Sequence, residues 1–125
     1  MVEYRTKPIN RSLPFAELEA VCELLSREGI DKVSVSFGWD SNLSFDEMWK
    51  DQTVAVKDIY AFVANSESSG IAQIGKADIF VECPGLLLTL CHEGDIHVKG
   101  SSTLVQRLAL RWETLDYVPH EMRSV

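Results

Sequence analysis

The sequence predicts an α+β fold: a two-layer sandwich in which a mostly antiparallel sheet of four to five strands is covered on one face by helices. Three observations lead there. In DKVSVSFGW, Val33, Val35, Phe37 and Trp39 alternate with Lys32, Ser34 and Ser36, the pattern of a strand with one dry and one wet face. A parallel strand buried on both sides would read as continuously apolar instead. Three apolar runs between 77 and 99 are separated only by Pro84-Gly85 and by Glu93-Gly94-Asp95, too short for parallel crossovers, so they form an antiparallel meander. Helical periodicity appears before and after these runs, which segregates helices from strands.

Taken in order, VEYRT alternates Val2 and Tyr4 against Glu3 and Arg5 and predicts a short strand stopped by Pro8. A helix follows over about 13–28. Ser12 can cap it, and Pro14 is tolerated in its first turn, where the missing N–H has no partner. Phe15, Leu18, Val21, Cys22 and Leu25 form its apolar stripe, with Glu17, Glu19, Glu23 and Arg27 on the other side. Gly29 suits the left-handed position beyond the last turn, and Ile30 can close behind it. After the 32–39 strand, Ser44 and Glu47 fit the capping box of a short helix. A longer helix is expected over about 54–65, with Val56, Ile59, Tyr60 and Val63 as its stripe, although β-branched valines are poor helix formers. Next come the strands around 77–82, 86–92 and 96–100. A last helix, capped by Ser101 or Ser102, runs to about Leu115 with Val105, Leu108, Trp112 and Leu115 inward. Residues 116–125 read as a loosely held tail.

The whole chain, 1–125, is expected to be a single domain, since 125 residues suffice for one hydrophobic core. Its composition, 46% hydrophobic and 25% charged, is that of an ordinary globular chain. No apolar run reaches the ~20 residues of a membrane span, so no membrane partner is expected. The first residues lack a signal-peptide core and the cysteines number three, an odd count; both point to reduced thiols in the cytoplasm. A net charge of −7 opposes nucleic-acid binding, which needs clustered Lys and Arg.

Two stretches look chemical. In TLCHEGDIHVKGSS, a cysteine, two histidines and two carboxylates fall between Cys91 and His97. His92-Glu93 opens like the helical zinc motif H-E-x-x-H, but His97 lies five positions on, which on a helix would turn the two imidazoles roughly 140° apart. With Gly94 between strand-like flanks, the stretch is a hairpin and the metalloprotease reading fails. Its register is open at this stage. A two-residue turn at Gly94-Asp95 would pair His92 with His97, a candidate metal pair. A three-residue loop over Glu93-Gly94-Asp95 would pair Cys91 with His97, a thiol–imidazole couple. That second register is preferred, because it gathers Ile96 and Val98 with Leu88 and Leu90 and sends Cys91, His97 and Lys99 to the other face. Solvated turn residues remain the commoner explanation of such a cluster.

The other stretch, FGWDSNLSFDEMWKDQ, sets Trp39, Phe45, Met48 and Trp49 among Asp40, Asp46, Glu47 and Asp51, which is typical material for a recognition surface. Trp39, Asp40, Phe45, Asp46, Glu47, Met48 and Trp49 are therefore the candidate binding residues. The competing explanation is that these aromatics simply anchor the core.

No P-loop, G-x-S-x-G, C-x-x-C or G-x-G-x-x-G occurs, so no cofactor is expected and the balance is against an enzyme. The function expected is that of a small acidic soluble protein that binds a protein partner without catalysis, as inhibitors and immunity proteins do, through 39–51 and with a homodimer allowed. The alternative is a small-molecule-binding protein or enzyme with a pocket near Cys91, His92 and His97.

Overall fold

The computed structural model describes residues 2–7, 13–38, 50–72, 77–91, 94–100 and 103–122. Among these residues it is an α+β fold with an open antiparallel sheet of seven strands and three helices. The strands are β1 (Val2–Arg5), β2 (Lys32–Phe37), β3 (Gln52–Ala55), β4 (Ile79–Cys83), β5 (Leu86–Leu90), β6 (Ile96–Gly100) and β7 (His120–Met122), in the spatial order β3-β2-β4-β5-β6-β1-β7. The helices are α1 (Leu13–Arg27), α2 (Ile59–Ser68) and α3 (Thr103–Thr114), with one turn of 3-10 helix at Val56–Asp58 leading into α2.

The strand alternation does what period two requires. Val35, Val81, Leu88, Val98 and Tyr4 lie side by side across five strands, flanked by the Phe37, Ile79, Leu90 and Ile96 row. Except for the half-buried Tyr4, all of these are buried. The inward residues Leu18, Val21 and Leu25 of α1, Ile59 and Val63 of α2, and Leu104, Val105, Leu108 and Trp112 of α3 join the same hydrophobic cluster. The opposite rows are Ser36, Phe80, Thr89, His97, Arg5 and His120, and Ser34, Glu82, Leu87, Lys99 and Glu3.

All three helices end alike. The Ile30 N–H reaches the Leu25 carbonyl and the Gly29 N–H that of Ser26; Gly70–Ile71 and Asp116–Tyr117 repeat the pattern behind α2 and α3. In each case the first residue of the pair has a positive φ, 77° for Gly29, 78° for Gly70 and 61° for Asp116. These are Schellman closures, the third made with an aspartate where glycine would fit without steric cost. Gly100 is required for another reason: a Cβ there would overlap the carbonyl of Gly85.

Several expectations are corrected. The sheet has seven strands rather than four to five. One extra strand is β3, in the place where the long helix was expected to begin. Val54 prefers an extended backbone and pairs with Val33, so the helix starts only at Ile59. The other is β7. Residues 116–122 are not loose: Asp116 and Val118 adopt positive φ, Tyr117 is buried, and 120–122 pair with β1. Tyr60 and Leu115 are exposed instead of buried, and Glu17 is fully buried instead of solvated. The proposed caps Ser12, Ser101 and Ser102 and the short helix near Ser44 fall outside the described residues.

Candidate functional site

The β5–β6 hairpin holds the cysteine and histidine that the sequence singles out. Its register pairs Leu90 with Ile96, Thr89 with His97 and Leu88 with Val98. The Cys91 N–H donates to the Asp95 carbonyl at 2.9 Å, and the Gly94 N–H returns to the Cys91 carbonyl at 3.0 Å. Gly94 sits at φ 90°, a conformation open to glycine at little cost, and the pairing falls two residues earlier than the preferred register and three earlier than the other. Both expected pairings are thereby corrected: His97 stands opposite Thr89, neither His92 nor Cys91. The shift from the preferred register is two residues, so the facing survives. Ile96 and Val98 lie in the core with Leu88 and Leu90, while Cys91 and His97 share the other face and Lys99 is exposed.

That face gains a member which sequence reasoning had left among turn residues. Asp95 pairs with Cys91 at the ladder's end, and its side chain meets both of its neighbours. The His97 Nε2 lies 2.6 Å from Asp95 Oδ2, with side-chain exposures of only 19% and 15%. The Cys91 thiol is a hydrogen-bonding neighbour of the same carboxylate. One donor atom from each of Cys91, Asp95 and His97 lies within 4.8 Å of the other two. The second carboxylate oxygen, Asp95 Oδ1, is buried with no hydrogen-bond partner among the described residues. Burial alone would push the Asp95 carboxyl up. The hydrogen bond and charge of His97, then Cys91 and the residue's own amide, outweigh it and hold the carboxyl below its ordinary value.

The tip is anchored from β1. Thr6 is buried, donates its N–H to the Ile96 carbonyl at 2.9 Å, and accepts the Ile96 N–H on Oγ1 at 3.0 Å. Both backbone groups of Ile96 are thus held by Thr6, the residue that follows β1, which positions the two side chains that flank them.

A second feature lies between the end of β2, the start of β3 and α2: a cavity of about 780 Å³ lined by Phe37, Gln52, Phe62, Asn65, Ser66 and Ile71. The Phe37 and Phe62 rings stack against each other in its lining, centroids 6.1 Å apart at 14°. Cys91 and His97 do not line this cavity.

Of the other sequence candidates, Trp39, Asp40, Phe45, Asp46, Glu47, Met48, Trp49 and His92 lie outside the described residues. Asp51 is exposed and lines the cavity. Cys22 and Cys83 form no disulfide, and burial pushes both thiols up. Comparison with family models, with characterised proteins and with solved structures finds no match to this chain.

Proposed function

We propose that this chain is a small non-catalytic binding domain, inhibitor- or immunity-like, whose partner is a protein with a basic surface. We read the molecule as two layers, with helices over one sheet face and the other face turned to the partner. The observation that carries this reading is the composition of that second face. Phe80, Leu87 and Thr89, all half-buried, form an apolar centre bordered by the exposed Glu82 and Lys99 and by the Glu3–Arg5 pair. Apolar centres with polar rims are the anatomy of recognition surfaces. The net charge of −7 favours a cationic partner. The aromatic–acidic segment 39–51 links β2 to β3 and supplies the anchors, Trp49 foremost.

The experiment is a native pull-down with the full chain, followed by sedimentation. A stoichiometric basic partner, lost on Leu87→Glu or Trp49→Ala, supports the reading. A monodisperse monomer with no partner, or a partner indifferent to both substitutions, ends it. A homodimer that dissociates on Leu87→Glu assigns the same face to a second copy instead.

One observation favours a second reading, small-molecule binding at the Phe37–Phe62 cavity. Its volume of about 780 Å³ falls in the range of ligand pockets. Thermal-shift measurements with small aromatic compounds test it. A compound that raises the melting temperature of the native chain but not of Phe62→Trp, which narrows the cavity at the Phe37–Phe62 stack, would support it.

A further inference from the structure

We propose that Cys91, Asp95 and His97 form a site for one divalent cation of the zinc class. This goes beyond the binding reading and stands or falls independently of it. The donor set is one sulfur, one carboxylate oxygen and one imidazole nitrogen, mutually within 4.8 Å. Ligand atoms around a tetrahedral zinc stand about 3.5 Å apart, given bonds of about 2.0–2.3 Å, so the three donors converge with small side-chain rotations. The 2.6 Å gap between His97 Nε2 and Asp95 Oδ2 is shorter than that. It is bridged by the proton that an ion would displace. Binding releases the thiol proton; the Nε2 proton moves to Nδ1 where the ring is neutral, or is released as well where the ring is an imidazolium. The site then holds a thiolate, a carboxylate and a neutral imidazole, two negative charges against a dication.

Donor chemistry selects the ion. Thiolate and imidazole suit zinc and its borderline neighbours, whereas magnesium and calcium require oxygen ligands. Asp95 Oδ1, buried and without a hydrogen-bond partner among the described residues, points the same way, because a metal bond would satisfy its lone pairs. The scaffold is rigid on both sides, with Cys91 and Asp95 joined across the ladder and Ile96 clamped by Thr6. Three protein ligands leave a fourth coordination position for water or for a group of the binding partner.

The test uses the full chain stripped by chelation and titrated with Co²⁺ as a spectroscopic probe. One equivalent is expected to produce the intense visible bands of a tetrahedral ion and a near-ultraviolet thiolate-to-cobalt band. One equivalent of Zn²⁺ should bleach both, and excess Mg²⁺ should leave them. Cys91→Ser is expected to lose the thiolate band. Cys91→Ser, Asp95→Asn and His97→Ala should each weaken Co²⁺ binding by at least about tenfold, the lower end of what loss of an outer partner alone costs. A second arm needs no variant: Zn²⁺ should slow iodoacetamide labelling of Cys91 but not of Cys22 or Cys83, read by peptide mass spectrometry. The proposal is overturned by the absence of a tetrahedral spectrum, by a thiolate band that survives Cys91→Ser, or by Cys91 labelling that ignores Zn²⁺.

Discussion

Among the described residues, the fully buried Glu17 and the half-buried Asp95 are carboxylates treated differently by the fold. Glu17 of α1 is fully buried, and both its oxygens are used. Oε1 accepts the indole N–H of Trp112 at 2.7 Å, and Oε2 accepts the Arg111 Nη2 at 2.9 Å, with Arg111 Nε 3.2 Å from each. Asp95 at the hairpin tip has Oδ2 on His97, while its Oδ1 has no hydrogen-bond partner among the described residues. A satisfied buried charge ties elements together, here α1 to α3. A carboxylate left half-satisfied beside a thiol and an imidazole contributes less to the fold than its position permits and is chemically available. The contrast separates a structural ion pair from a candidate ligand site without reference to any relative.

The largest expected effect lies on the Glu17 side. Glu17→Ala leaves the Trp112 N–H buried without an acceptor and Arg111 without its partner, and should cost about 3 kcal/mol in urea unfolding. Glu17→Gln, which keeps an acceptor, should cost less. A loss below about 1 kcal/mol for the alanine variant would erase the distinction between the two carboxylates. Asp95→Asn should cost less than Glu17→Ala, about 1–2 kcal/mol at neutral pH, for the loss of one charge-assisted bond.

The two centres should also separate by pH. The folded Asp95 carboxyl lies below its unfolded value, so the stability it contributes is whole above the ordinary aspartate range and is lost as pH falls through the depressed folded value. The unfolding free energies of the native chain and Asp95→Asn should therefore converge in acid. Parallel curves down to the acid transition would show that the carboxyl is not held low. The Glu17 centre should report from the alkaline side. Burial pushes the nearby Tyr117 hydroxyl up, with the Glu17 charge adding to it and Arg111 opposing. Its folded value exceeds its unfolded one, so its contribution is whole below the ordinary tyrosine value near ~10 and is lost as pH rises through the folded value. Tyr117→Phe should flatten that alkaline loss at a cost below about 1 kcal/mol at neutrality. The smallest effect is a gain: Asp116→Gly, at φ 61°, should stabilise the end of α3 by about 0.5–1 kcal/mol while leaving the tip's Co²⁺ spectrum unchanged. Stabilisation accompanied by an altered spectrum would mean the two regions are coupled.

Legibility in the sequence followed the range of the interactions. Local patterns read well: β2 and the meander emerged from alternation, α1 and its Gly29–Ile30 closure from spacing and a glycine, and α3 from its stripe. Elements held mainly by distant partners did not. Gln52–Ala55 became β3 because Val33 offered a pairing edge, and His120–Met122 became β7 because β1 did. Glu17 reads as solvated because, with Glu19 and Glu23, it falls off the apolar stripe of α1; its partners Arg111 and Trp112 come from α3. At the candidate site Cys91 and His97 were visible as reactive types. Asp95 was seen as a turn residue, since only the register turns its carboxylate towards them.

The sequence by itself determined that this stretch is a β-hairpin and left two registers open; the facing of the preferred one, with Cys91 and His97 opposite Ile96 and Val98, is kept in the structure because facing has period two and survives a two-residue slip. Only the tertiary structure decided that Asp95 joins them. That outcome rests on the positive φ of Gly94 and on the clamp that Thr6 of the neighbouring chain segment places on Ile96, ninety positions away in sequence. Contacts between residues that far apart are set by which strands find each other, a choice that the local pattern of any one strand leaves open.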